Sequence, residues 1–323
     1  MLGRPLPAIH IWSPRAGEGG AQAGVRERAR RLQRDLVELA FPLLLLAGST
    51  ALWRRQNGPV TLFTDQVGAR ALGQLGLLHL WDEVDDEVLE GAAPGGGCRR
   101  RRGAIARFRA YRAMEAPFAA LDPDLIVWQP LEAFLDRLDI SFTHWQEIAA
   151  SAAPAPPFAG VPSFEDEPGG AGNRPLRGAN VAFLFLRRDD FKRCYVEEGL
   201  RDLGACRPSP SGRRPGGEIC AEQRLLPVLG ERSNLSMRPL LQGTWQGGKL
   251  VMEEPGTSWC HFDPHEPLVT HLRHLKELLT AQRRARRAYC RTLAERLMAE
   301  VSGIREILNE IRPLRRYARR PWF

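Results

Sequence analysis

Short apolar runs that end in a polar residue, or that a polar residue follows, recur along this chain and alternate with segments of helical periodicity. The first three are AIHIWS (8–13), VTLFTD (60–65) and PFAAL (117–121), and two later ones are DISFTHW (139–145) and NVAFLFL (180–186). Strands that alternate with helices in this way form a mainly parallel sheet with helices on its faces. The sequence therefore predicts an α/β fold with a mainly parallel sheet flanked by helices.

Apolar residues at helical spacing predict the helices between these strands. We expect helices over 25–54, 66–75 and 189–203, and one that ends near residue 115 after a flexible basic connection containing RRRR (99–102). A further helix, EQRLLPVLGE, is expected to run up to its proline, Pro227. Short strands are expected at 77–81, before an acidic loop, and within 237–253, where glycines mark the turns.

Two segments rich in Pro and Gly, about 151–178 and 205–217, interrupt the alternation. Segments of this length without periodicity are predicted to be flexible loops. The chain from 267 to 313 is predicted to be mostly helical, and its end is strongly basic. We therefore expect one domain over 1–276 and a basic helical C-terminal extension over 277–323.

The charge balance favours anionic partners. Lys and Arg number 46 against 38 Asp and Glu, a formal net charge of +8 in 323 residues. Such a balance fits nucleic acid, a membrane surface or phosphorylated small molecules. Neither RRRR nor the tail RPLRRYARRPWF (312–323) resembles a nucleic-acid module with interleaved aromatic residues, so nucleic acid is not the expected partner. A peripheral membrane contact through the basic C-terminus is the second interpretation of the tail.

Cysteine usage and the N-terminal sequence indicate a cytoplasmic protein. The six cysteines include no C-x-x-C pair, which is typical of reduced thiols in a cytoplasm. The N-terminal MLGRPLPAIHIW lacks the apolar core of a signal peptide, and the apolar segment 40–53 is too short to span a bilayer. We expect a cytoplasmic location, with the inner membrane surface as the alternative.

Asp122 and Asp124 flank Pro123 directly after the third predicted strand. A residue before proline is pushed towards extended geometry, and side chains at i and i+2 of an extended chain point to one side. Two carboxylates that face one ion at the end of a strand suit Mg²⁺ or Mn²⁺. Asp-Pro-Asp is also ordinary turn chemistry. The residues alone leave both interpretations open, an ion site and a turn.

The segment PFAALDPDLIVWQPL (117–131) resembles the D-x-D strand of GT-A-type glycosyltransferases. It is most similar to a sparsely characterised bacterial group of GT-A-like proteins in which an upstream v.L.TD..G element accompanies it. Here that element is VTLFTDQVGARAL (60–72), followed by LWD (80–82). Later matches are the strand GANVAFLF, the helix EQRLL (222–226) and the late histidine motif THLRHLK (270–276). The resemblance covers roughly residues 8–276 and implies a GT-A, Rossmann-like fold of the nucleotide-diphospho-sugar transferase type.

The resemblance implies a metal-dependent glycosyltransferase that moves a sugar from a nucleotide-diphosphate donor to a glycan or other small acceptor. Mn²⁺ or Mg²⁺ is the implied ion, with Asp122, Asp124 and His271 as its ligands. Residues implied beside the nucleotide, its diphosphate or the acceptor are Trp12, Ser13, Asp65, Arg107, Asn180 and Lys276.

The residues leave open the catalytic base, the presence of catalysis and the role of the histidine-rich segment. Glu222 and Asp189 are the candidates for a catalytic base on the acceptor side. Ala182 stands where the bacterial group has a glycine, so a catalytically inactive GT-A-like protein that binds a nucleotide or glycan is the alternative function. A separate zinc site from Cys260, His261 and His265 is a further interpretation of the histidine-rich segment.

Overall fold

In a computed structural model, the chain divides into two compact units. Unit 1 comprises Met1–Gly91, Pro117–Asp136 and Ser258–Phe323, and unit 2 comprises Ala92–Ala116 and Arg137–Thr257. The structure describes residues 5–14, 24–90, 99–148, 176–205, 220–246, 249–252, 269–271 and 276–318. The predicted loops therefore lie largely outside the described residues.

Strands and helices follow one another along the chain. The strands are β1 (Ala8–Trp12), β2 (Val60–Thr64), β3 (Glu83–Asp85), β4 (Phe118–Leu121), β5 (Leu125–Val127), β6 (Ile140–Ile148), β7 (Leu176–Leu186), β8 (Met237–Pro239), β9 (Gly243–Gln246), β10 (Lys249–Met252) and β11 (Val269–His271). The helices are α1 (Val25–Leu39), α2 (Phe41–Gln56), α3 (Gln66–Gln74), α4 (Arg99–Ala113), α5 (Glu132–Leu135), α6 (Asp189–Ala205), α7 (Cys220–Arg232), α8 (Lys276–Ala281), α9 (Arg283–Glu300), α10 (Ile304–Glu310) and α11 (Arg315–Ala318). The predicted α/β class, with strands and helices in alternation and a helical C-terminal region, is confirmed.

Unit 1 contains a parallel sheet built from the first apolar runs of the sequence. β1 lies between β2 and β4, and β3 pairs with the other side of β2, all in parallel. Trp12 lies opposite Thr64, and His10 lies opposite Leu121. The carboxyl ends of β1, β2 and β4 therefore meet at one edge of this sheet, the edge at which ligands bind in open α/β folds.

The predicted single helix over 25–54 is wrong in one respect, because it is two helices. α1 and α2 meet at Ala40, whose φ is +60°, and their axes are bent by 87°. Pro42 lies in the first turn of α2, where its missing N–H is harmless, whereas a continuous helix would lose a hydrogen bond there. Within the described ranges no single helix is long and apolar enough to cross a membrane, and α1 and α2 pass that test only as a bent pair.

Other local predictions also need correction. The strand expected at 77–81 is a 3₁₀ turn over Leu78–Leu80, and β3 forms in the acidic segment that follows. The arginine run belongs to α4, which begins at Arg99, so this run is not the predicted connection. α7 continues through Pro227 to Arg232, because buried leucines on both sides of the proline hold the helix in place.

The C-terminal helices belong to unit 1. Gly48 of α2 lies so close to α9 that a Cβ there would be 2.7 Å from Cδ2 of Leu297. Leu293 and Leu297 on α9 and Leu308 on α10 are fully buried. Burial of such side chains stabilises a helix that its own propensity would leave marginal.

Unit 2 is built on the antiparallel pair of β6 and β7. β8 and β9 pair with β6 in parallel, and β10 pairs with β9 in antiparallel orientation. The register of β6 and β7 shifts between Phe142 and His144, which marks a β-bulge. On α6, Gly199 approaches Phe108 of α4 so closely that a Cβ would be 2.1 Å from the ring. The strands predicted at 139–145 and 180–186 are confirmed and are longer than expected.

Candidate functional site

The first part of the candidate site is the turn from β2 to α3, the TDQVG segment of the sequence. The Thr64 hydroxyl donates to the carbonyl of Trp12 over 2.7 Å and so ties the end of β2 to the end of β1. The carboxylate of Asp65 is the N-cap of α3: its Oδ1 accepts the backbone N–H groups of Val67 and Gly68, each at 3.0 Å. Its Oδ2 accepts the hydroxyl of Ser13 at 2.9 Å.

Gly68 completes this turn because it has no side chain. A Cβ at this position would lie 2.1 Å from Oγ1 of Thr64, so a larger residue would displace the threonine from its bond to Trp12. The threonine, aspartate and glycine of the motif are thus all explained by local structure. Asp65 is 1% exposed and accepts three hydrogen bonds, as expected for a buried helix cap.

Asp122 and Asp124 lie in a β-turn that ends β4. The N–H of Leu125 donates to the carbonyl of Asp122 at 3.0 Å, and Pro123 and Asp124 are the central residues of the turn. The chain over 122–124 is therefore a turn and not an extended segment as predicted, because proline presets the φ of the second turn position and the hydrogen bond closes the chain on itself. Both aspartates are half-buried at the carboxyl end of β4. The turn interpretation is confirmed, and the ion site stays a prediction.

β5 begins directly after this turn and pairs with a strand from far along the chain. In the antiparallel pair of β5 and β11, His271 lies opposite Leu125, the residue that follows Asp124. Lys276 is the first residue of α8. The late histidine motif and the Asp-Pro-Asp turn were predicted to form one site. The strand that ends in His271 pairs with the strand that directly follows this turn.

Among the described residues, no three His, Cys, Asp or Glu side chains are grouped closely enough to hold a metal ion. The zinc site considered from Cys260, His261 and His265 lies outside the described residues.

Other predicted site residues lie in unit 2, where Arg107 and Glu222 meet. Nη1 of Arg107 on α4 is 3.4 Å from Oε2 of Glu222 on α7, and the two side chains are 26% and 10% exposed. The Tyr195 hydroxyl donates to the backbone carbonyl of Glu222 at 3.0 Å. Burial, and then the nearby Glu222 carboxylate, raise the pKa of Tyr195 well above its usual value, so this tyrosine stays protonated.

Asp189 begins α6 and is held by a buried lysine that the sequence analysis did not identify. Lys192 is 5% exposed, donates to the carbonyl of Met114 and lies 2.6 Å from Oδ1 of Asp189. The hydrogen bond from Lys192 lowers the pKa of Asp189, which makes this carboxylate a weaker base. The spacing i, i+3 of an acid and a lysine at a helix start is the signal that could have indicated the pair.

Asn180 lies beside the β-bulge of β6 and β7. Its Oδ1 accepts the N–H of Ala182 at 3.1 Å, and the Thr143 hydroxyl oxygen accepts the N–H of Phe183 at 2.7 Å. Asn180 is 4% exposed. The two side chains thus satisfy N–H groups that the irregular register leaves without a strand partner.

Comparisons with known proteins give no family assignment by sequence. No protein-family model matches the chain, and no curated protein sequence matches it significantly. Solved structures with some similarity include the galactosyltransferase LgtC in complex with donor and acceptor sugar analogues, which is 10% identical, with 82% of this chain and 86% of that chain covered and a TM-score of 0.38.

Two further solved structures are similar at the same level. Mouse xyloside xylosyltransferase 1, in its apo form, is 12% identical over 73% of this chain and 84% of that chain, with a TM-score of 0.34. The apo glycosyltransferase GlyE of Streptococcus pneumoniae TIGR4 is 12% identical over 72% of this chain, with a TM-score of 0.33. The match spans 45% of the GlyE chain, less than half of its length.

Proposed function

We propose that this protein is a divalent-metal-dependent glycosyltransferase of the GT-A type that transfers a sugar from a nucleotide-diphosphate donor. The observation that supports this most is the pairing of β11 with β5, in which His271 lies opposite Leu125, next to the turn that carries Asp122 and Asp124. Chain segments far apart in sequence thereby bring two acids and a histidine position to the carboxyl end of β4. Ligands bind at such edges in open α/β folds.

The residues present fit a hard divalent cation. Mg²⁺ is usually held by one or two protein carboxylates, with water and substrate phosphates in the other positions, and Mn²⁺ shares the preference for oxygen. Asp122 and Asp124 supply such a pair on one turn, and both are half-buried rather than fully exposed. His271 is the proposed third protein ligand.

When bound, the ion would act as a Lewis acid that neutralises the charge on the departing nucleoside diphosphate. Asp122 and Asp124 would hold and orient it. Lys276, five residues after His271 at the start of α8, is proposed to add positive charge beside the diphosphate. Glu222 and Asp189 stay the two proposed bases: the hydrogen bond with Lys192 lowers the pKa of Asp189 and makes it a weaker base, and Glu222 is ion-paired with Arg107.

Isothermal titration calorimetry with UDP and GDP, with and without Mn²⁺, tests the proposal. We expect Mn²⁺-dependent binding that weakens by about tenfold or more in Asp122→Ala and in Asp124→Ala, since each loses a charged ligand. Asp35→Ala is the matched control, because Asp35 is exposed on α1 and outside the proposed site. An affinity for UDP and GDP that is the same with and without Mn²⁺, and the same in the wild type and in both variants, would contradict the proposal.

The alternative function is a GT-A-like protein that binds a nucleotide or glycan without catalysis. Slow hydrolysis of UDP-sugars or GDP-sugars in the presence of Mn²⁺ separates the two functions. An enzyme should hydrolyse at least one donor, and the Asp124→Ala variant should not.

A further inference from the structure

A pocket of about 390 Å³ in unit 1 has arginine at four of its eight lining positions. Arg283, Arg286 and Arg287 come from the first turns of α9, and Arg316 comes from α11. Glu38, near the end of α1, is the acid in the lining. We call this space the α9 pocket. It shares no lining residue with the Asp-Pro-Asp turn, so it is a separate feature of the molecule.

The α9 pocket concentrates positive charge that the described residues do not neutralise. Its four guanidinium groups and one carboxylate sum to +3 at neutral pH. Arg283 and Arg287 are one helical turn apart, where like charges destabilise a helix. Arg283, Arg287 and Arg316 are exposed, and within the described part of the chain none of them forms an ion pair.

One arginine of the pocket has a structural role at the start of α9. Arg286 is half-buried, and its Nη1 donates to the carbonyls of Leu279 and Thr280 at 2.9 and 3.0 Å, at the end of α8. These bonds hold the first turns of α9 against α8. The guanidinium groups of Arg283 and Arg287 therefore project from a helix whose start is anchored.

The basic surface continues along α9. A second recess of about 510 Å³ is lined by Arg283, Arg284, Arg287 and Arg291 and shares two arginines with the α9 pocket. An anion larger than a single phosphate can therefore be contacted from both recesses. Val37 also lines the α9 pocket. Among the described residues it is the one large apolar residue that is exposed, at 38%.

We propose that the α9 pocket binds a phosphate-bearing anion. Guanidinium groups present paired N–H donors that match the oxygens of phosphate, and several of them converge here on one space. A bound dianion would relieve the repulsion between Arg283 and Arg287. The ligand can be a free phosphate compound or a phospholipid headgroup, since Val37 adds an apolar contact beside the charges.

Calorimetry with pyrophosphate tests the site at low ionic strength. The full chain carrying Asp122→Ala is used in the presence of EDTA, so that binding at the proposed metal site cannot contribute. We expect the triple variant Arg283→Gln, Arg287→Gln, Arg316→Gln to weaken binding by about tenfold or more. Glu38→Gln, which removes the negative charge of the lining, should strengthen binding by about two- to fivefold.

The matched control is Arg70→Gln, Arg112→Gln, Arg305→Gln, which removes the same charge from exposed arginines outside the pocket. Circular dichroism verifies that both triple variants are folded. Weakening by both triple variants to the same degree would show general attraction by net charge and would overturn the proposal.

Sedimentation with vesicles identifies the source of the phosphate. Vesicles of phosphatidylglycerol are compared with vesicles of phosphatidylcholine, again with both triple variants. A lipid headgroup is the ligand if the wild type binds the anionic vesicles, only the pocket variant loses this binding, and pyrophosphate does not bind. Pyrophosphate binding without vesicle binding assigns a free phosphate compound. Binding of neither probe by the wild-type chain would refute the site.

Discussion

The indole N–H of Trp81 donates to Nδ1 of His10 across 3.0 Å in the core of unit 1. The proton of the neutral imidazole is therefore on Nε2, which lies 3.0 Å from Oγ of Ser49. The neighbouring Thr50 hydroxyl donates to the carbonyl of Leu46 at 2.8 Å. A polar network thus joins the middle of β1 to α2 and to the segment after the 3₁₀ turn, with every partner buried.

This network predicts a loss of stability in mild acid. Burial lowers the pKa of His10 to about 3, below the value of about 6.5 for an unfolded chain. Between these two values the unfolded state therefore binds a proton that the folded state does not. The contribution of His10 to the free energy of unfolding is present above pH 6.5 and is lost as the pH falls from there towards 3. We expect about 2 kcal/mol less stability at pH 5 than at pH 7 from this residue.

Urea denaturation of the wild type and of His10→Gln at both pH values measures this loss. The variant is less stable at each pH, and the part of the pH dependence due to His10 should be missing from it. Equal changes in the free energy of unfolding between pH 7 and pH 5 in the two proteins would contradict the prediction.

Removal of the α3 cap should destabilise the protein. Asp65→Ala loses the acceptor for the N–H groups of Val67 and Gly68 and for the Ser13 hydroxyl, at an expected cost of about 1–2 kcal/mol. Asp65→Asn keeps an acceptor at the cap and should lose less. Thermal denaturation compares both with Asp35→Ala, an exposed substitution on α1. An Asp65→Ala variant as stable as the wild type is incompatible with the cap.

A methyl group at Gly68 should be costly for a steric reason. Gly68→Ala forces Oγ1 of Thr64 away from its place beside Trp12, and we expect a loss of about 1–3 kcal/mol. Thr64→Ala removes the clashing oxygen, so Gly68→Ala should cost much less in that background. A double-mutant cycle by urea denaturation checks the coupling, and strictly additive effects would argue against the contact.

The bulge in unit 2 predicts a structural rather than a substrate-binding phenotype for Asn180. Asn180→Ala leaves the buried N–H of Ala182 without its acceptor, and such a loss costs about 1–3 kcal/mol. Nucleotide affinity of the folded variant should stay within about twofold of the wild type. Calorimetry on the folded fraction measures this affinity. A large loss of nucleotide affinity at unchanged stability would indicate that Asn180 contacts the nucleotide.

The strands were predictable because each is a local apolar run bounded by polar residues. β1, β2 and β4 coincide with such runs, and the helices between them dictate a parallel arrangement. The break between α1 and α2 had one visible signal, Pro42, which cannot lie inside a helix without the loss of a hydrogen bond. The positive φ at Ala40 had none, because alanine rarely adopts it.

Long-range pairings had no signal in local periodicity. β11 has three residues, and a strand this short is defined by its partner rather than by its own pattern. The roles of Asp65, Asp189 and Asn180 were missed for the same reason. A carboxylate or amide shows its chemical type in the sequence, whereas its hydrogen-bond partners depend on which backbone groups the fold leaves open.

The turn at Asp122–Leu125 also has a consequence for the order in which the strands of this protein pair during translation. β4, before the turn, pairs with β1, so its place can be set soon after the ribosome has released the first part of the chain. β5, after the turn, gains its partner only when residues 269–271 have been made. Asp124 and the histidine position opposite Leu125 therefore come together late in translation, so a chain truncated before β11 would carry the acids without their neighbour.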